Sequence, residues 1–436
     1  MSSRPPRERR YWQRRKRRPE LKERGVVRAL GLGLITGAAD DDPSAIGTYA
    51  AAGAKMGPSF LWIAPVLFPM MFAVVYLSAR LGLVTGKGLF GAIHDRYPRW
   101  VLYATLFGVL IGNTFEASAD IGGIAAAVDV LLPIPHRLMV AVTALTILSL
   151  QLFASYVVIR NVFRWLSLAL LAYLASAILA KPDLATLIKG TLIPAIHFDR
   201  DFLAMLVAVI GATLSAYLYT WQSNEEVEEK IAKGLRRTDD RAGSSSAELK
   251  KTRRDVLFGM IFSNLIMYFI LLSTASTLYK SGNRHIESAA HAAEALRPLA
   301  GNAAGVLFAV GIVAVGFLAV PVMTAGAAYD LAQTAGWRHG LGLKLHEARK
   351  FYGAIIAFTA AAAGFAFIGF NPMRVLVWAG IVQGFSTPPL MLLIMLMTND
   401  RRVMGERVNG RGINILGWLT TAATFAATIA LIVTSL

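Results

Sequence analysis

The stretch that decides the fold runs Gly31-Leu32-Gly33-Leu34-Ile35-Thr36-Gly37-Ala38-Ala39-Asp40-Asp41-Asp42-Pro43-Ser44-Ala45-Ile46-Gly47-Thr48-Tyr49. Apolar and small residues flank three consecutive carboxylates and a proline. Pro43 has no N–H to donate, its ring displaces the carbonyl four residues earlier at Ala39, and it pushes Asp42 out of helical geometry. One apolar helix is therefore expected to break at the acidic cluster and expose backbone carbonyls. A charge at mid-bilayer costs roughly 3 kcal/mol on insertion scales, so carboxylates retained there suggest a water-filled cavity and a cation. Asp before Pro is also a common helix start, and the alternative is a helix beginning at the membrane surface.

Outward from that stretch the chain is a string of apolar runs. Of 436 residues 55% are apolar and 16% charged, and the mean hydropathy is positive, which fits a polytopic membrane protein better than a soluble enzyme. Runs near the ~20 residues needed to cross a bilayer fall at 26–50, 59–84, 101–131, 138–158, 162–180, 202–224, 255–279, 302–332, 350–369, 373–397 and 413–435. The expected fold class is an all-α integral membrane protein of about eleven such spans.

The net charge of +17 does not point to nucleic acid, because the basic residues sit between the apolar runs. With the N-terminus inside, 34 of the 44 Lys and Arg lie on the cytoplasmic side, which satisfies the positive-inside rule. The basic segment 1–25 reads as a cytoplasmic tail, since it lacks the apolar core and cleavage site of a secretory signal. The chain has no cysteine, so any metal must be held by oxygen, nitrogen or thioether.

The polar stretch 230–254, with Thr238-Asp239-Asp240 and Gly243-Ser244-Ser245-Ser246, reads as a flexible cytoplasmic loop joining two halves, 26–180 and 202–397, with 413–435 as a final span. Five spans per half force the second half to be inverted relative to the first.

Asp42-Pro43-Ser44-Ala45, Ala79-Arg80-Leu81-Gly82-Leu83-Val84-Thr85-Gly86-Lys87 and Gly211-Ala212-Thr213-Leu214-Ser215-Ala216-Tyr217 resemble, in order and spacing, the natural-resistance-associated macrophage protein (Nramp) family. The resemblance implies a leucine-transporter-type architecture: two inverted five-helix repeats, broken first and sixth helices, and a metal site between the breaks. By that carry-over Asp42, Ala45, the Ala212 carbonyl, Ser215 and Gln383 belong to the metal site. Asp41, Tyr217, Glu116 and Asp120 belong to its surroundings or the ion path. Divalent metal is then the substrate and no cofactor is expected.

The chain departs from the family pattern in four places. Ala45 stands where the family has a ligand Asn, Ser215 where it has the thioether Met, Tyr217 where it has a His, and Ala117 where it has the first of two acids in span three. Hydroxyl, carboxylate and water suit Mg²⁺, Ca²⁺ or Mn²⁺, whereas a thioether favours softer metals. The site is therefore expected to be harder and more hydrated, as in the Nramp-related magnesium-transporter branch. Proton coupling is expected to be weak or absent. Rival readings are a proton-coupled Mn²⁺/Fe²⁺ importer, an amino-acid or organic-solute transporter of the same fold, and a metal-binding membrane enzyme or sensor. The spans hold no paired base and nucleophile, so no enzyme is expected.

Other polar positions carry blander readings. Glu116 and Asp120 share a helical face and would otherwise form a structural pair between helices. Gln383 would otherwise be a packing amide, with Pro388-Pro389 disturbing the helix just below it. Asn264 reads as interhelical glue, and Glu225, Glu226, Glu228 and Glu229 as a solvated helix end. Met70, Met71, Met395 and Met397 read as packing. The partners expected are divalent ions and the lipid bilayer of the cell (plasma or inner) membrane, with the oligomeric state open.

Overall fold

A computed structural model of the chain describes residues 31–132, 134–154, 156–180, 182–235, 237–286, 290–293, 302–368 and 372–435. The tail 1–25 and the first residues of the first span lie outside these. The first span is two helices, α1 (Leu32–Asp40) and α2 (Pro43–Met56), followed by a 3-10 turn at Gly57–Phe60. Then come α3 (Ile63–Thr85), α4 (Leu89–Arg96), α5 (Arg99–Leu131), α6 (His136–Phe153), α7 (Tyr156–Ala169), α8 (Leu171–Leu179) and α9 (Leu184–Leu192). The second half has α10 (Arg200–Thr213), α11 (Ala216–Ala232), α12 (Thr238–Arg241), α13 (Ser246–Thr274), α14 (Asn302–Thr334), α15 (Arg349–Ile368) and α16 (Pro372–Asn399). Two C-terminal helices follow, α17 (Arg401–Met404) and α18 (Arg411–Ser435).

Each of the eleven expected spans falls on a helix or a broken helix. Among the described residues nine are long and apolar enough to cross a membrane. The broken sixth span is among them, whereas the first, in pieces of nine and 14 residues, carries Asp40, Asp41 and Asp42 at its middle and is not. Large apolar side chains such as Phe107, Trp165 and Ile415 are exposed on the outside of the bundle, as a lipid-facing surface requires and a water-facing one would not.

The interior is built on close backbone approach. A Cβ on Gly259 of α13 would lie 1.8 Å from the Gly33 carbonyl oxygen, and one on Gly37 would lie 2.2 Å from the Gly259 oxygen. Small residues let α1 and α13 touch backbone to backbone, a packing mode suited to lipid, where apolar burial alone brings helices together weakly. Asp255 on α13 caps the crossing by accepting the Gly33 N–H at 3.0 Å. Asn264 is the interhelical glue expected of it, donating to the Ala64 carbonyl at 2.8 Å. Met71, Met395 and Met397 are buried in the core.

Three expectations need correction. The stretch 230–254 is folded onto the bundle and is not a flexible loop. Helix α11 continues to Ala232, and α13 starts at a capping box made by Ser245 and Glu248. In the last turn of α11 the buried Lys230 ammonium donates to the carbonyls of Leu83 at 2.5 Å, Arg241 at 2.7 Å and Gly243 at 3.1 Å. An ammonium has three protons, and here each finds a carbonyl. Second, Glu225, Glu226 and Glu228 are buried and do not form a solvated helix end. Third, Pro388 and Pro389 do not interrupt α16, which runs through both.

Candidate ion site where two helices break

Helix α1 ends at Asp40 because Pro43 cannot supply the N–H that the Ala39 carbonyl needs. Asp41 takes φ −88°, ψ 44°, and Asp42 takes an extended conformation with φ −61°, ψ 165°. The orphaned Ala39 carbonyl is met from across the bundle by the hydroxyl of Tyr217, at 2.7 Å. Asp42 then caps α2: its Oδ1 accepts the Ala45 N–H at 2.7 Å and the Ser44 hydroxyl at 2.6 Å. The surface-helix alternative was thus half correct. Asp42 does start a helix, but it does so buried, at 1% exposure.

The second break carries no proline. α10 stops at Thr213, Leu214 takes φ −113°, ψ 43°, and Ser215 is extended before α11 begins at Ala216. Its free backbone groups are satisfied by side chains, one from α16 and one from α11 itself: the Ala216 N–H donates to Gln383 Oε1 at 3.2 Å, and the Tyr219 hydroxyl donates to the Leu214 carbonyl. The Ser215 hydroxyl lies 3.3 Å from the Ala212 carbonyl and 3.5 Å from Glu116 Oε1.

The two breaks face one another through Tyr217, whose hydroxyl also reaches Asp42 Oδ2 at 3.0 Å. From α5, Asp120 Oδ1 accepts the Ser44 N–H at 3.1 Å. One turn away Glu116 accepts the side-chain amide of Gln383. The structure therefore gathers Asp42, Ala45, Ala212, Ser215, Tyr217, Glu116, Asp120 and Gln383 into one hydrogen-bonded cluster. Ala45 takes part through its N–H, as a partner of Asp42, since its methyl group can ligate nothing. Glu116 bonds directly to Gln383 and Ser215, which puts it closer to the breaks than an ion-path position alone would imply.

Asp41 makes none of these bonds. Both its oxygens, Asp40 Oδ1 and Asp120 Oδ2 are buried without a hydrogen-bond partner among the described residues. Asp40 Oδ2 accepts from Ser263 at 3.0 Å. Burying ionised carboxylates without a counter-charge is strongly unfavourable. No Lys, Arg or His forms an ion pair with them among the described residues. Nor do those residues include a group of three or more His, Cys, Asp or Glu arranged to hold a metal.

Sequence reasoning missed Asn113, three residues before Glu116 on α5. It is buried, and both amide atoms lack partners among the described residues. An amide one turn from an acid in an apolar helix was the available signal.

The family model for natural resistance-associated macrophage protein-like proteins matches residues 33–434. A divalent metal cation transporter, MntH, of Bacillus subtilis is 26% identical over 423 residues, covering 94% of this chain and 93% of the relative. The protein of that name from Deinococcus radiodurans is 26% identical, with 92% and 89% covered. Among solved structures, a manganese transporter of Eremococcus coleocola in complex with an aromatic bis-isothiourea compound superposes with a TM-score of 0.70 at 19% identity, covering 94% of this chain and 88% of that one. A Na⁺-coupled sialic acid symporter shares the fold more distantly, with a TM-score of 0.58 at 11% identity and 92% and 89% covered. These are transporters and not enzymes, and the fold they share is the leucine-transporter type with two inverted five-helix repeats. With its broken first and sixth spans and a family match along almost its whole length, this chain belongs to the Nramp-like family of multi-pass membrane transporters.

Proposed function

We propose that this chain carries hard divalent cations, Mg²⁺ or Mn²⁺, across the cell membrane by alternating access, with its N-terminus in the cytoplasm and little or no proton coupling. The observation that carries the proposal is Asp42, a buried carboxylate at a helix break that faces a second break bearing Ser215. Asp42, the Ala212 carbonyl, Ser215 and Gln383 are the oxygens offered to the ion, with Glu116 beside them. All are hard donors, and none is a thioether. Mg²⁺ gives up water reluctantly and is commonly held by one or two carboxylates with several waters retained, which fits so sparse an anionic set.

Weak coupling is supported by the residue at 217. A histidine exchanges protons near neutral pH, whereas a tyrosine does so only near pH ~10. Glu116, the acid nearest Ser215, is already engaged by the Gln383 amide. The basic segments between the spans support the cytoplasmic N-terminus.

The test is uptake of Mg²⁺ and Mn²⁺ into proteoliposomes containing an internal pH dye, comparing the parent with Asp42→Ala. Uptake of both ions without acidification, abolished in Asp42→Ala, is the expected result. Mn²⁺ entry that always brings protons would return the chain to the proton-coupled reading. Entry of neither ion would remove the transport reading itself.

A further inference from the structure

Helix α11 carries a polar stripe that starts at Tyr217 of the ion site and runs on beyond it. Tyr217, Thr220 and Asn224 are spaced three and four residues apart and so lie on one face. Seven residues at ~1.5 Å each put Asn224 about 10 Å along the axis from Tyr217, away from the breaks. Facing this stripe, α14 presents Asp330 and, one turn on, Thr334. Asp330 is fully buried: its Oδ1 faces the Asn224 amide at 3.5 Å, and Thr220 lies against the same carboxylate. Its Oδ2 has no hydrogen-bond partner among the described residues, nor does the buried hydroxyl of Thr334. Among those residues no Lys, Arg or His forms an ion pair with Asp330.

A further side chain of α14 holds this arrangement in place. Gln333 donates to Asn224 Oδ1 at 2.6 Å and accepts the Gly91 N–H of α4 at 2.9 Å. Asn224 is thereby fixed with its amide nitrogen toward Asp330. The oxygens without a partner among the described residues are Asp330 Oδ2 and the Thr334 hydroxyl, both hard donors that suit a hard cation.

We infer that Asp330, Thr334 and Thr220 form a second, inner station for a hard divalent cation, with the Asn224 amide orienting the carboxylate, through which an ion released from Asp42 passes before leaving the protein. The station deepens the transport reading and rests on it for the identity of the ion. One carboxylate with hydroxyls holds an ion more weakly than a site with several carboxylates, as an exit station must if the ion is to leave.

Mn²⁺ alone is the probe, bound to the full chain in detergent and counted by electron paramagnetic resonance of the free ion. The parent is expected to bind two Mn²⁺ per chain, Asp330→Asn and Asp42→Ala one each, and the double variant none. Thr334→Val, which keeps the carboxylate, is expected to weaken the inner ion about tenfold, the lower end of what loss of a supporting oxygen costs a metal site. It remains informative if Asp330→Asn does not fold. Asp330→Asn and Thr334→Val binding the parent's number of ions with the parent's affinity overturns the station. Loss of one ion in Asp330→Asn, with Asp42→Ala unchanged from the parent, keeps the station and overturns the assignment of Asp42.

Discussion

The Tyr217 hydroxyl lies 2.7 Å from the Ala39 carbonyl and 3.0 Å from Asp42 Oδ2. One side chain of the sixth span thus meets both the carbonyl that Pro43 leaves short of a partner and the carboxylate just before the proline. It has a single proton for two acceptors, and on the proposed transport reading a cation arriving at Asp42 would compete for one of them.

Tyr217→Phe tests that competition. Removing a donor from a buried acceptor costs ~1–3 kcal/mol, so the metal-free variant is expected to melt below the parent. Bound cation then replaces the lost partner of Asp42, and the rise in melting temperature on adding Mn²⁺ should exceed the parent's. An equal rise in both proteins would mean that hydroxyl and ion do not meet the same carboxylate.

The two breaks were not equally legible in the sequence. Pro43 after three aspartates announces the first, because the missing N–H is a local property of the chain and names Ala39 as the carbonyl set free. Nothing from Thr213 to Ala216 announces the second. Leu214 and Ser215 leave helical geometry with support from Gln383 and Tyr219, and only the family resemblance located that break. Lys230 and Glu228 were misread for a related reason. Their charge suggests solvent, but the carbonyls of Leu83, Arg241 and Gly243 and the Tyr329 hydroxyl cover them, and a single sequence does not reveal which distant groups will do so.

The approach of Gly259 to Gly33 makes a second prediction. A Cβ on Gly259 would meet backbone, which cannot rotate away, and overpacking of this kind costs ~1–3 kcal/mol. Gly259→Ala should push α1 off α13 and open the Thr36 end of the bundle. The chain has no cysteine, so Thr36→Cys can be labelled alone with a membrane-permeant maleimide. Faster labelling in the Gly259→Ala background is expected, and an unchanged rate would show that α1 does not depend on this contact.

His339, in the connection between α14 and α15, gives a pH prediction outside the membrane. Burial holds its pKa below the ordinary 6.5, helped by nearby Arg241 and opposed by its bond to the Trp337 carbonyl. The rings of Tyr329 and Phe351 pack around it. A base with a lowered folded pKa binds fewer protons folded than unfolded, so its contribution is fully present above pH 6.5 and falls away as pH drops through the folded value. Melting temperature should therefore decline below pH 6.5 in the parent and more shallowly in His339→Gln. Parallel curves would remove His339 as the cause.

Ser215 makes the prediction on which ion preference turns. Its hydroxyl is buried between the Ala212 carbonyl and Glu116, where the rest of the family places a thioether. Ser215→Met adds a soft ligand that rewards Cd²⁺ over the hard ions Mg²⁺ and Mn²⁺. Its bulk also displaces water that Mg²⁺ is slow to surrender. In uptake competition Mg²⁺ should then block Mn²⁺ less effectively than in the parent, and Cd²⁺ should become the stronger competitor. An unchanged order of competitors would mean that the oxygen of Ser215 does not set the hardness of the site, and that selectivity lies with Asp42, Glu116 and the volume left by Ala45.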